Sequence, residues 1–336
     1  MDFLNAIVAL LNFVVIPATA YGAQLALGAL GVTLIYGILR FSNFAHGDTM
    51  ALGTGFVILF TWWFQTMGLH FGPLPTALLA LPFGIAVTAA FVLLTDRVVY
   101  RFYRKQKAAP VILVIVAMGV MFVMNGLTRF LIGVDEIRFD DGARFLITAN
   151  DFKAATGLAE GLAFRSTQAL TIATAVVVVA ALFWFLNRTR TGKSMRAFSD
   201  NEDLALLSGI NPEKVVAVTW IISAGLAVIA GTLYGLDKSF KAFNYFQLLL
   251  PIFASAIVGG LGNPLGAIAG GFLIAFSEVG FTYAWKKVAT YVLPESLAPD
   301  GLAQLLSTDY KFAVSFAILI VVLLFKPTGL FKGKAV

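Results

Sequence analysis

The sequence contains no cysteine and only two histidines, His46 and His70, among 336 residues. The first absence excludes disulfide frameworks, thiol nucleophiles and thiolate metal sites. The second leaves little room for a histidine-based metal centre. Charge is scarce too: 12% of residues are Asp, Glu, Lys or Arg, about half the share of an ordinary soluble domain. Hydrophobic residues make up 59% of the chain, and the mean hydropathy is +0.88. One globular core cannot hold that much apolar surface, so it must be spread over segments facing lipid or one another. The net charge of +6 then reads as basic residues holding loops on the cytoplasmic side, not as a nucleic-acid surface.

Apolar runs long enough to cross a bilayer as helix fall near 20–39, 48–67, 74–94, 110–131, 169–187, 215–236 and 265–285. Shorter runs occupy 246–261 and 311–326. Residues 3–17 form either an interfacial helix or an additional span. The reading is an all-α polytopic membrane protein with about eight or nine transmembrane helices in a single domain, 1–336.

Basic residues orient this map. Arg97, Arg101, Arg104, Lys105 and Lys107 crowd one loop. Arg188, Arg190, Lys193, Arg196 and Lys214 gather in a second, 188–214, and Lys326, Lys332 and Lys334 in the C-terminal tail. All three lie on the cytoplasmic side if an even number of crossings separates them, which requires 246–261 to cross or nearly cross. The loop 132–168, with six acidic and four basic residues, is then external. Within it "EIRFDDGARFLI" predicts a β-hairpin around Asp141-Gly142. No signal-peptide cleavage pattern precedes the first spans, so the apolar N-terminus is expected to be retained.

Loop 188–214 contains Thr191-Gly192-Lys193-Ser194, which looks like the tail of a phosphate-binding loop. Such a loop needs a glycine five residues before Gly192, where Asn187 stands, and a strand before it, where a membrane span ends. A basic span end explains Arg188, Arg190 and Lys193 without a nucleotide. The next residues are more specific. Ser199-Asp200-Asn201-Glu202 fits a capping box with Ser199 at N-cap and Glu202 at N3, and Asp200 and Glu202 suit the helix dipole. Leu204, Ala205, Leu206 and Leu207 supply an apolar side, Gly209 a left-handed cap, and Pro212 a stop. A short helix results, which either docks into a partner's groove or lies against its own protein.

Two further motifs carry polar groups in apolar surroundings. "RFSNFAHGDTM" places Arg40, Asn43, His46 and Asp48 between two spans. Asp48 can cap a helix starting near Thr49 and Asn43 can close the turn after Arg40, or the group can gate the inner mouth of a pathway. "GGLGNPLGAIAGG" spaces Gly262, Gly266 and Gly270 for close helix packing. Its Asn263-Pro264 break suggests a discontinuous helix of the kind that lines transport pathways. Glu278, near its span's outer end, can snorkel or pair with Lys286 or Lys287.

Three of these stretches, 28–55 ("GALGVTLIYGILRFSNFAHGDTMALGTG"), 192–236 and 254–278 ("ASAIVGGLGNPLGAIAGGFLIAFSE"), resemble in the same order the LivH-type permeases. The C-terminal Phe325–Phe331 run resembles that family's ending. Those permeases are subunits of ATP-binding-cassette importers for branched-chain amino acids. The resemblance implies a multi-pass protein of the bacterial inner membrane that is not itself an enzyme and calls for no cofactor. It implies that Ser199–Gly209 is a coupling helix seated on an ATPase, with Ser199, Asp200, Glu202, Leu204, Ala205, Leu206, Leu207 and Gly209 taking part. Asn43, His46, Asp48, Gly262, Asn263, Pro264 and Gly266 are the expected pathway or gate residues. The implied partners are a sister permease subunit, two cytoplasmic ATPase subunits and an external substrate-binding protein. The competing readings are an ion-coupled secondary transporter built on His46, Asp48 and Glu278, and a passive channel or permease for urea or short amides.

Overall fold

The computed structural model describes residues 2–139, 141–292 and 301–331. Helix α1 (Asp2–Leu10) runs through a π-helical turn, Leu11–Val15, into α2 (Ile16–Leu39). Residues 3–17 are therefore neither a separate span nor a separate interfacial helix, but the leading end of the first long helix. Pro17 lies inside this continuous helix, and the π turn just before it is where the helical hydrogen-bonding pattern changes to accommodate a residue with no N–H donor. Helix α3 (His46–Thr66) follows, then α4 (Ala77–Thr95), which passes through a second π turn, Asp96–Tyr100, into α5 (Arg101–Lys105). Helix α6 spans Pro110–Ile132.

The next connection holds β1 (Phe145–Ile147), α7 (Ala149–Thr156) and β2 (Phe164–Arg165), and leads into α8 (Ser166–Arg188). Two short helices, α9 (Arg190–Asp200) and α10 (Glu202–Leu207), precede α11 (Pro212–Lys238). Helices α12 (Ala242–Gly259), α13 (Pro264–Thr282), α14 (Lys286–Val292) and α15 (Lys311–Phe325) complete the described chain. Lys332 and Lys334 lie outside the described residues.

Among the described residues, eight helices are long and apolar enough to cross a membrane. The short 246–261 run is one of them: α12 has 18 residues, a rise of about 27 Å. Helix α3 is less apolar because it carries His46, Asp48 and Gln65, yet its first half is buried at the centre of the bundle.

Helix α2 is the hub. From Ala18 to Leu39 almost every side chain is buried, as expected of a helix that is apolar all round. It packs chiefly on α13 and α11, and α11 in turn packs on α3 and α4. Small residues set the spacing: a Cβ on Gly271 would lie 2.7 Å from the backbone nitrogen of Ala26, so only glycine lets α13 approach α2 this closely. The outer helices α6, α8 and α15 leave Val123, Val176, Val177, Trp184, Leu324 and Phe325 exposed, the surface a lipid-embedded bundle presents.

Two expectations are corrected. Among the described residues no hairpin forms around Asp141-Gly142. Strand β1 instead pairs antiparallel with β2, and Ile137 bridges Phe240. The turn residues are spent on α4: the Thr76 N–H donates to Asp141 Oδ2 at 2.7 Å and the Ala143 N–H to the Pro73 carbonyl. Asp140 lies outside the described residues.

The Asn263-Pro264 break does not interrupt one helix. Helices α12 and α13 form an antiparallel pair in which Gly259 faces Gly266 and Ser255 faces Gly270. A Cβ at Gly259 would fall 2.0 Å from the Gly266 oxygen. Gly260 and Gly262, at φ 113° and 82°, make the tight reversal between them. Backbone contact drives this packing, and only glycines on both helices permit it.

Candidate functional site

Helix α10 is the exposed tip of a braced loop. Asn201 is its N-cap: the side-chain oxygen accepts from the Leu204 N–H at 3.0 Å. The expected capping box from Ser199 to Glu202 does not form: the N-cap lies two residues on, and its N3 residue, Leu204, has no side-chain acceptor to return the bond. Ser199 belongs to the last turn of α9, and its hydroxyl donates to the Gly37 carbonyl at 3.0 Å. Asp200 ends that helix. At the other end Gly209 has φ 78°, the left-handed cap expected there. Pro212 opens α11 with Asn211 as cap.

The apolar side of α10 points away from the protein. Leu207 is 85% exposed, Leu204 61% and Leu206 43%, while Ala205 alone is buried, at 3%. Leu204 and Leu207 share a face at i, i+3 spacing. The leucine face therefore does not lie against its own protein among the described residues.

The loop beneath is firmly held. Thr191–Ser194 lie inside α9, whose N-cap Thr189 already receives the Gly192 N–H, so no backbone nest of the phosphate-binding kind exists there. A Cβ on Gly192 would meet the Phe185 carbonyl at 2.2 Å; the glycine lets α9 fold back onto α8. Met195 and Phe198 are buried. The Arg40 guanidinium donates to the Ser199 carbonyl, and Arg101 and Arg104 reach Glu213 at 3.3 and 3.8 Å.

From Arg40 the contacts continue inward. Arg40 caps α2 in the left-handed region, φ 57° and ψ 29°, a conformation costly for a side chain with a Cβ. It turns the chain back into the bundle. Asn43 closes the turn as expected, its Oδ1 accepting from the Ala45 N–H at 3.2 Å and from the Tyr100 hydroxyl at 3.3 Å. Tyr100 stacks on Trp220 at 5.2 Å, and the Trp220 indole donates to Asp96 Oδ1, which also holds Arg104. Tyr100 and Asp96 are the two ends of the second π turn, a distortion frequent at functional sites.

His46 is the first residue of α3 and is buried. It packs on α2 so tightly that a Cβ at Gly31 would lie 2.5 Å from its ring. Gly31 stands eight residues before the end of α2, about 12 Å along the helix. The Asn43–His46 turn is therefore sunk into the protein.

Asp48 does not cap a helix at Thr49, because α3 already begins at His46. It receives a hydrogen bond from Asn125 Nδ2 at 2.6 Å instead. Gly262, Asn263, Pro264 and Gly266 stand apart from this cluster. Asn263 caps α13 through the Leu265 and Gly266 N–H groups and donates to the Phe331 carbonyl. Gly262 lies beside Gly37, at the end of the bundle where Ser199 binds.

Glu278 is not paired with Lys287, one of its two expected partners. It is buried, accepts from Ser315 and lies beside Tyr21. Lys287 pairs with Glu160 at 2.7 Å. Tyr21 and Gly31 are ten residues apart on α2, about 15 Å, so Glu278 and His46 do not form one relay.

Sequence reasoning missed Asn125, Arg129, Asp96, Tyr100 and Trp220. A signal did exist for the first two: a polar pair at i, i+4 within an apolar run of 23 residues. Nothing local marks Trp220, which meets Asp96 and Tyr100 only across helices.

Comparison with known proteins gives a consistent family. The model for "Branched-chain amino acid transport system / permease component" matches residues 15–323. The chain is 30% identical over 315 residues to the high-affinity branched-chain amino acid transport system permease protein BraD of Pseudomonas aeruginosa, covering 92% of each chain. It is 29% identical over 316 residues to the corresponding protein LivH of Escherichia coli K12, covering 92% of this chain and 91% of that one. The fructose import permease protein FruG of Bifidobacterium longum is 25% identical over 188 residues, covering 52% of this chain and 54% of that protein. No solved structure gives a significant match.

Proposed function

The chain belongs to the family of branched-chain amino acid transport system permease components, and is a multi-pass membrane permease; from that premise we propose a specific working arrangement. It forms one side of the pathway by which an importer carries branched-chain or other amino acids across the bacterial inner membrane. A sister permease subunit forms the other side. Two cytoplasmic ATPase subunits supply the energy, and an external binding protein delivers the substrate. The basic loops at 97–107 and 188–214 face the cytoplasm, and 132–168 faces outward.

The observation that carries this reading is the outward apolar face of α10, with Leu204 and Leu207 exposed on a helix whose base is bonded to the core. Ser199, Asp200, Glu202, Ala205, Leu206 and Gly209 shape and cap that docking element. When the ATPases close, α9 and α10 move together. Ser199 and Arg40 pass the displacement to the Asn43–Asp48 turn, because a packed interior transmits rather than absorbs strain. Asn43 and His46 then act as the inner gate, with Asp48 beyond them. The turn at Gly262, Asn263, Pro264 and Gly266, beside Gly37, forms the neighbouring rim.

An ion-coupled relay is disfavoured by the separation of Glu278 from His46. The test is uptake in vesicles by the full complex, with and without ATP. The reading expects ATP-dependent uptake, lost when Leu206 and Gly209 are together replaced by charged residues in a chain that still inserts. Uphill uptake by the isolated chain would overturn it.

A further inference from the structure

Asp48 is fully buried in the first turn of α3. One carboxylate oxygen is held by Asn125, and the other, Oδ2, has no hydrogen-bond partner. A buried carboxylate oxygen left unpaired is costly, and this one belongs to a residue lining a cavity of about 160 Å³. The other lining groups are Asn125, Arg129, Met121, Phe122, Phe243 and Phe246. Arg129 shares the cavity with Asp48 but makes no ion pair with it among the described residues. One cavity thus offers a carboxylate, an amide, a guanidinium and an apolar wall.

We propose that this cavity holds a free α-amino acid in transit. The ammonium group sits on Asp48 Oδ2, the carboxylate on Arg129, and the side chain against Met121, Phe122, Phe243 and Phe246. An amino acid is the solute class that brings both charges with an apolar body. A guanidinium matches a carboxylate with two parallel donors. Urea, an amide or a sugar would leave both charged groups unanswered, which a polar site penalises strongly.

The position supports the assignment. Asn125 lies fifteen residues from the start of α6, about 22 Å along the helix and about 10 Å short of its end. Arg129 is exposed and Phe122 71% exposed, so the cavity opens sideways out of the chain. A polar cluster at that depth does not face lipid cheaply. This side of α3, α6 and α12 therefore faces the water-filled path shared with the sister subunit. The inference rests on the permease reading and adds to it the residues that hold the solute.

The absence of native cysteine makes a direct test clean. In the complete transporter in vesicles, Asn125→Cys supplies the chain's single thiol, and Val123→Cys on the same helix is the reference. A water-soluble methanethiosulfonate reagent should modify Asn125→Cys, and leucine should slow the reaction at least fivefold. 4-Methylpentanoate and 3-methylbutylamine, each carrying one of the two charges, should not protect, and leucine should not protect Val123→Cys. Equal protection by the singly charged compounds, or none by leucine, overturns the proposal. Met121→Cys serves if Asn125→Cys does not assemble. Independently, Asp48→Asn and Arg129→Gln should each lower leucine moved per ATP at least tenfold, with Arg129→Lys retaining more than Arg129→Gln. A wild-type complex that moves no amino acid defeats the permease assignment itself. A wild type that transports no better than both variants defeats only this site.

Discussion

Replacing Leu204 and Leu207 together by alanine removes the apolar face of α10 while leaving its fold intact. Neither side chain contributes much to the chain's own core, since they are 61% and 85% exposed. Alanine is also a better helix former than leucine or equal to it. Thermal unfolding of the purified permease should therefore move by less than about 2 °C, because surface changes stay within about 0.5 kcal/mol. The docked state is different. Full burial of a leucine side chain is worth about 2 kcal/mol, and scaling by the exposed fractions gives about 3 kcal/mol for the pair. That corresponds to roughly a hundredfold weaker affinity for the ATPase subunits. The assay is titration of nanodisc-embedded permease with purified ATPase, read by light scattering or an immobilised-sensor signal. An affinity within threefold of wild type, with the permease folded, would show that α10 does not seat its leucines in the partner. The docking argument would then fail at its base.

Two further outcomes follow from particular contacts. Gly259→Ala should destabilise the α12–α13 pair by about 3 kcal/mol or more, since the new methyl would lie 2.0 Å from the Gly266 carbonyl oxygen. Gly126→Ala on α6, with nothing within 4 Å, should be neutral or stabilising by up to about 1 kcal/mol; thermal unfolding in one detergent compares them. On the opposite end of the bundle, burial pushes the Glu160 carboxyl up, but hydrogen bonds from Lys287 and Tyr291 prevail and hold it below the usual carboxylate range. A lowered folded value means this contribution is complete above the unfolded pKa, about 4.3, and is lost as pH falls through the folded value. The gap in melting temperature between wild type and Glu160→Gln should therefore be present at pH 7 and close progressively below about pH 4. A gap that widens on acidification would contradict the contact.

What could be read from the chain alone is what short-range physics controls. A helix in lipid must be about 20 apolar residues long, because its backbone has no other partner there. The spans were therefore visible as runs, including the short 246–261 segment that the charge parity required. Gly209 and Pro212 were legible as helix punctuation for the same local reason. Caps and turns were less secure. Ser199 and Asn201 are both good cap residues, and the choice of Asn201 followed from Ser199 being drawn to the Gly37 carbonyl across the bundle. Asp141-Gly142 is a sound hairpin dipeptide, yet the Thr76 N–H claimed the carboxylate first.

Long-range packing decided everything that brings distant residues into one place. No periodicity in α6 states that Asn125 meets Asp48, seventy-seven residues away. Nothing in the glycine spacing of 259–270 distinguishes a broken helix from two helices side by side. Burial energy rewards contact without specifying which partner supplies it, so a sequence of apolar runs names its spans but not their neighbours. The neighbours are selected by which glycines let backbones approach and by which few polar atoms must find one another away from water.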